Sequence, residues 1–170
     1  KEIPGVNALV LMGQLGNVGG DALADVLCGK VNPSGKTTDT WAKEYMDYPS
    51  SEKFSHNESV DDEMYEDGIF MGYRYFDIRL GIKNGSMQLM HGFKVAPAYP
   101  FGYGKSYTDF EMSIIDFSVN GGIVSLDVNV KNIGEKYAGK EVVQAYYSAP
   151  DGKLIKPVKE LIAYKKTAMI

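Results

Sequence analysis

The sequence predicts two kinds of layer in one chain, an α/β unit at the start and an incomplete antiparallel β-sandwich at the end. Three observations predict this. An apolar run, a glycine-rich loop and a helical face follow one another over residues 7–28, the order of one α/β unit. After Phe110 the apolar period becomes two, the spacing of a strand with one wet face. Finally, 19 Gly, 7 Pro and 12 Tyr favour strands joined by many turns over a helical bundle. A length of 170 residues gives room for one ordinary domain or parts of two.

In chain order, Asn7 to Met12 reads as a short buried strand, and the loop Gly13 to Gly20 follows it. Asp21 to Cys28 then places Leu23, Val26 and Leu27 on one helical face, with Asp21 as a cap and Gly29 as the stop. Residues 30–107 are too rich in Gly, Pro, Ser and Asn for regular elements and too aromatic for a loose linker, so a long packed excursion is expected. Phe110 to Val119 and Val124 to Val130 read as strands joined through Asn120-Gly121-Gly122, a hairpin signal. Glu141 to Ser148 and Val158 to Tyr164 supply two more. Four strands are fewer than the roughly seven of a complete sandwich of this kind. The chain is therefore expected to divide into residues 1–60, 61–106 and 107–170.

Several function classes are disfavoured by composition. A formal charge of -4 offers no positive field for phosphate backbones, so neither nucleic acid nor an anionic membrane surface is an expected partner. No apolar run approaches the ~20 residues of a membrane-spanning helix. The single cysteine, Cys28, allows no intramolecular disulfide and fits a reducing compartment, with a cytoplasmic location favoured. The start Lys1-Glu2-Ile3-Pro4-Gly5 and the end Ala168-Met169-Ile170 suggest a fragment.

Local motifs are weighed against ordinary packing. Gly29 to Thr37 imitates a phosphate-binding P-loop, but the spacing is one residue wrong and Pro33 removes an amide the cradle would use. His56 and His91 lack metal-ligand spacing, so no metal and no cofactor is expected. No Gly-x-Ser-x-Gly elbow exists for a serine nucleophile. The loop Gly13 to Gly20 is either a tight turn or a polar ligand site at a helix start, with Gln14 and Asn17 as binding candidates. The acidic run from Asn57 to Gly68 reads as a solvated loop. Arg74, flanked by Tyr73 and Tyr75, needs carboxylates or carbonyls for its donors, and Glu66, Asp67 or Asp77 would serve; it is either an internal anchor or part of a sugar-facing site.

Six ordered blocks then carry a resemblance to a known family. They are Gly13-Gln14 with Gly19 to Leu27; Gly29 to Lys36; Asp47-Tyr48-Pro49; Gly68 to Asp77; Ala98 to Gly104 with Ser106-Tyr107-Thr108; and Ala138 to Gln144. Together they resemble the glycoside hydrolase family 3 enzymes typified by β-glucosidases. The resemblance implies that residues 1–60 end an α/β sandwich domain and that residues from 107 begin a fibronectin type III-like domain. It also implies a substrate that is a β-linked glucoside or oligosaccharide, and a barrel domain of the same protein as partner. The family's Asp nucleophile and Glu acid/base match no position here, so no catalytic residue is expected in this chain. Arg74, Asp77 and Tyr103 fall in matched blocks as structural residues. Leu15-Gly16-Asn17-Val18 extends the usual loop, and residues 78–96 look like an insertion. The alternative, a stand-alone β-sandwich module binding carbohydrate or protein, would close its own sandwich and present an exposed aromatic platform.

Overall fold

The structure is a computed structural model that describes residues 4–54, 61–65, 67–83, 86–91, 96–150 and 152–170, with the backbone alone over 78–83 and 86–91. It divides into two compact units. One comprises chiefly Lys36–Tyr103 and Gln144–Ala163, the other Glu2–Gly35, Gly104–Val143 and Tyr164–Ile170.

In the second unit the expected strand over Asn7 to Met12 is absent, and its apolar residues are exposed, Leu9 at 72% and Leu11 at 65%. A strand needs a neighbour to satisfy its backbone donors and acceptors, and no described residue pairs with this run. Helix α1, Gly19–Leu27, starts two residues before the expected Asp21, which lies in the first turn while Val18 takes the cap position. Its end follows the reading. The Gly29 N–H donates to the Val26 carbonyl and the Lys30 N–H to the Asp25 carbonyl, both at 2.9 Å, a Schellman closure with Gly29 at φ 73°.

Strands β3, Phe110–Asn120, and β4, Ile123–Asn132, form an antiparallel hairpin in which Asn120 pairs with Ile123. Gly121 and Gly122, at φ 57° and 81°, make the two-residue turn, since left-handed backbone at both positions matches the twist of the strands. A register shift falls between Ile114 and Asp116. Its cause is legible in the residues, because the apolar positions of β3 change parity from Met112 and Ile114 to Phe117 and Val119. The extra residue restores alternation, so that these four lie opposite Val130, Val128, Leu126 and Val124, while Glu111, Ser113, Asp116 and Ser118 lie opposite Lys131, Asn129, Asp127 and Ser125. Between the end pairs, one face is apolar and the other polar. The apolar face is open, with Ile114, Phe117 and Val119 all more than half exposed.

The long excursion is more regular than expected. It carries a 3₁₀ turn at Tyr45–Asp47, the short helix α2 at Tyr73–Phe76, and an antiparallel pair, β1 at Ile78–Lys83 and β2 at Ser86–His91. The last two strands, β5 at Val142–Tyr147 and β6 at Glu160–Lys166, are hydrogen-bonded to each other and contribute residues to both units. Among the described residues the most deeply buried apolar side chain is Phe76, 2% exposed, held edge-on between the rings of Tyr48 and Tyr75.

Candidate functional site

The residues singled out by sequence fall in separate units. Gln14 and Asn17 belong to the unit containing α1. Both are exposed in the loop before the helix, where the Gly19 N–H donates to the Gly16 carbonyl and the Ala22 N–H to the Val18 carbonyl. In the same unit Asn32 joins distant segments. Its Nδ2 donates to the Ala138 carbonyl at 3.0 Å, and its Oδ1 accepts from Ser106 Oγ at 2.9 Å and the Tyr107 N–H at 2.8 Å. The former P-loop imitation is thus a bracket between loops. No phosphate chemistry is needed to explain its composition.

Arg74, Asp77 and Tyr103 lie in the other unit. Arg74 of α2 and Asp77 just after it both meet the start of β6: Arg74 Nη2 is 3.4 Å from Glu160 Oε1, and Lys159 Nζ is 3.0 Å from Asp77 Oδ2. This corrects the expected pairing of Arg74 with Asp67 or Asp77. Glu66, the third expected partner, lies outside the described residues. A lysine competes successfully for Asp77, which leaves the guanidinium to the neighbouring Glu160. The pairing could not be read locally because Lys159-Glu160 stands far along the chain.

Aromatic rings fix the same helix. Tyr73 packs against Phe101 with centroids 5.1 Å apart and edge-on against Tyr146 at 5.8 Å, while its hydroxyl accepts the Leu161 N–H at 2.8 Å. Tyr146 Oη donates to Gln144 Oε1 at 2.9 Å. Burial raises the pKa of Tyr146 above 10.0, and Tyr73 and the Asp77 charge add to this. Tyr147 is also raised, because its hydroxyl donates to Glu160 Oε2 at 2.8 Å and would lose that bond on ionising.

Tyr103 is a backbone fixture. Its N–H donates to Thr37 Oγ1 at 2.9 Å, the Thr37 N–H donates to the Tyr103 carbonyl at 2.7 Å, and its ring lies 5.1 Å from that of Tyr99. Trp41 bridges to Tyr99 in antiparallel fashion. Between these segments and α2 lies a recess of about 40 Å³, lined by Thr40, Asp77, Pro100, Phe101, Tyr146 and Lys159 among others. A recess of that size admits no sugar ring. Among the described residues no group of three or more His, Cys, Asp or Glu could hold a metal ion. His56 lies outside the described residues, as do Glu58 and Glu66 of the acidic run, and nothing is assigned to the side chain of His91. No helix among the described residues is long and apolar enough to cross a membrane.

Residues 2–73 match the family model for the glycosyl hydrolase family 3 C-terminal domain. The chain belongs to the C-terminal region of glycoside hydrolase family 3. It is 42% identical to β-glucosidase A of Butyrivibrio fibrisolvens over 97% of its own length and 20% of that protein's. Among solved structures, it superposes on β-glucosidase 3B of Thermotoga neapolitana in complex with glucose with a TM-score of 0.74 and 41% identity, covering 90% of this chain and 19% of that one. The β-glucosidase of Kluyveromyces marxianus in complex with glucose gives 0.70 and 39%, covering 88% and 16%. The family 3 chain therefore spans about a fifth of the length of the curated relatives it matches.

Proposed function

We propose that this family 3 chain is part of a retaining β-glycosidase of the β-glucosidase type, acting on terminal β-linked sugars of oligosaccharides or glycosides. In this reading it supplies supporting and pocket-rim elements, and the catalytic pair lies elsewhere in the longer protein. Residues 1–60 end an α/β sandwich domain, 61–106 connect, and 107–170 begin a fibronectin type III-like domain. Gln14 and Asn17 are rim residues, whereas Arg74, Asp77 and Tyr103 hold the connecting segment. The partner is a barrel domain of the same protein.

The observation that supports this most directly is the match of nearly the whole chain, in order, to β-glucosidases of which it is a minor part. The mechanism follows from chemistry. A retaining glycosidase uses two carboxylates about 5–5.5 Å apart, one attacking the anomeric carbon and the other protonating the leaving oxygen and then activating water. In this reading the nucleophilic Asp belongs to the barrel and the acid/base Glu to the sandwich domain.

The test uses an aryl β-glucoside. The 170-residue chain alone is expected to give no hydrolysis above a host-cell blank. A chimera of β-glucosidase A from Butyrivibrio fibrisolvens, with its matching segment replaced by this chain, is expected to hydrolyse the glucoside with net retention at the anomeric carbon. Hydrolysis by the chain alone, or a folded but inactive chimera, would overturn the proposal.

A further inference from the structure

The turn of the β3–β4 hairpin carries one of the chain's two Asn-Gly dipeptides, Asn120-Gly121; the other, Asn84-Gly85, lies outside the described residues. The amide carbon of an asparagine is an electrophile within reach of the next residue's backbone nitrogen, and that nitrogen is least hindered when the next residue is glycine. The described asparagines differ in whether this attack is open to them. Asn32 precedes Pro33, whose nitrogen carries no hydrogen, and its amide is held by Ala138, Ser106 and Tyr107. The Asn132 amide is held by Thr108, Gly134, Tyr137 and Ile170, and the next residue is the β-branched Ile133. Asn129 lies inside β4, with ladder pairs on both sides of it, and precedes Val130. Asn7 and Asn17 precede Ala8 and Val18, which both carry a Cβ.

Asn120 has none of these restraints. It is exposed, its side chain has no hydrogen-bond partner among the described residues, and the Gly121 N–H makes no backbone hydrogen bond to them. A Cβ added at Gly121 or Gly122 would meet nothing within 4 Å, so nothing packs on the turn from that side. Cyclisation requires Asn120 to leave its extended conformation, and the one ladder pair this breaks is the terminal one, Asn120 with Ile123. Fraying ends open at far lower cost than the centres of strands. We propose that Asn120 is a deamidation site. The Gly121 nitrogen bonds to Asn120 Cγ, the Cγ–Nδ2 bond breaks, and ammonia leaves with the proton from Gly121, giving a cyclic imide. Water then opens either imide carbonyl: opening at Cγ gives aspartate, and opening at the Asn120 backbone carbonyl gives isoaspartate, in which the main chain runs through Cγ. No electrons are transferred. Both products place a carboxylate at the hairpin tip, and isoaspartate adds one backbone atom to a turn that Asn120 and Ile123 close over two residues.

The full 170-residue chain, aged in mildly alkaline buffer and digested with trypsin, tests this by mass spectrometry. The peptide Ser106–Lys131 should show the mass gain of an amide becoming an acid, localised by fragmentation to Asn120 and not to Asn129. Enzymatic methylation of the free α-carboxylate should identify isoaspartate in the same peptide. The folded chain should react at Asn120 within about tenfold of the rate in the urea-unfolded chain, since only the terminal pair must open. Asn120→Gln, whose longer side chain closes its ring far more slowly, should remove the signal. Protection of Asn120 by folding beyond about tenfold, a rate no faster than at Asn17, or a signal that survives Asn120→Gln would overturn the proposal.

Discussion

The guanidinium of Arg74 lies 3.4 Å from the carboxylate of Glu160, which binds the short helix α2 to the first residue of β6. Both side chains are about one-third exposed or less, and Glu160 also accepts from Tyr147. A double-mutant cycle of Arg74→Ala and Glu160→Gln should return a coupling of about 0.5–1 kcal/mol that shrinks with added salt. Arg74→Lys should recover only part of it, since a shorter, more strongly hydrated ammonium replaces the planar guanidinium at this partly buried pair. A coupling of zero at low salt would remove the pair from the account of how α2 is held.

Alkaline pH should destabilise the unit containing Tyr146. The folded state holds this phenol's proton more tightly than the unfolded chain, whose pKa is near 10.0. The resulting stability is complete below pH 10 and is lost as pH rises through the higher folded value. Tyr147 acts in the same sense. Tyr146→Phe should therefore flatten the loss above pH 10, leave a smaller slope from Tyr147, and cost about 1 kcal/mol at neutral pH through the lost bond to Gln144. Stability measured against pH by urea titration checks both parts, and an unchanged alkaline limb would refute the assignment.

Gly139 is required by its neighbours. A Cβ there would stand 2.7 Å from Asn32 Nδ2 and 2.8 Å from Phe110 Cζ. Gly139→Ala should cost about 1–3 kcal/mol by forcing these groups apart. Gly20→Ala is the contrasting change, for Gly20 lies within α1 with nothing inside 4 Å of the added carbon. It should stabilise by about 0.5–1 kcal/mol. Thermal unfolding that moved the two in the same direction would contradict this reading.

The open apolar face of the β3–β4 hairpin should bind a hydrophobic dye. Ile114 is 68% exposed and Phe117 62%. Replacing both by Thr should lower dye fluorescence severalfold while changing stability by less than about 1 kcal/mol, because neither side chain is buried in this chain. A large loss of stability would show that the face is covered.

The most legible parts were those whose signal is local. Period two marked β4, Asn120-Gly121-Gly122 marked its turn, and Gly29 marked the end of α1. The pair β1 and β2 had a local signal too, since Ile78, Leu80 and Ile82 alternate with Arg79, Gly81 and Lys83 and an Asn84-Gly85 dipeptide precedes Ser86. It was obscured by the surrounding Gly and Pro and by its likeness to an insertion. Asn7 to Met12 failed for the opposite reason: a good strand composition has no effect without a neighbour to bond.

At the candidate site, Arg74 and Asp77 were identifiable as residues that need partners, and Tyr103 as part of a motif. Their partners were not, because Glu160, Lys159 and Thr37 are brought to them by tertiary folding and carry no mark of it in sequence. Asn32 is the clearest case. Its setting imitated a nucleotide loop, and only the loops around it show that its amide serves three backbone and side-chain groups at once.

The extra residue in β3 makes the strand unequal in its tolerance of genetic length changes. Ile115 has no place in the pairing between Ile114 with Val128 and Asp116 with Asp127. Its codon could be lost with every cross-strand partner kept, whereas losing the codon for Ser113 or Ser118 would bring neighbours of the wrong polarity into line. The point of the hairpin where a one-residue deletion keeps the pairing is therefore its register shift.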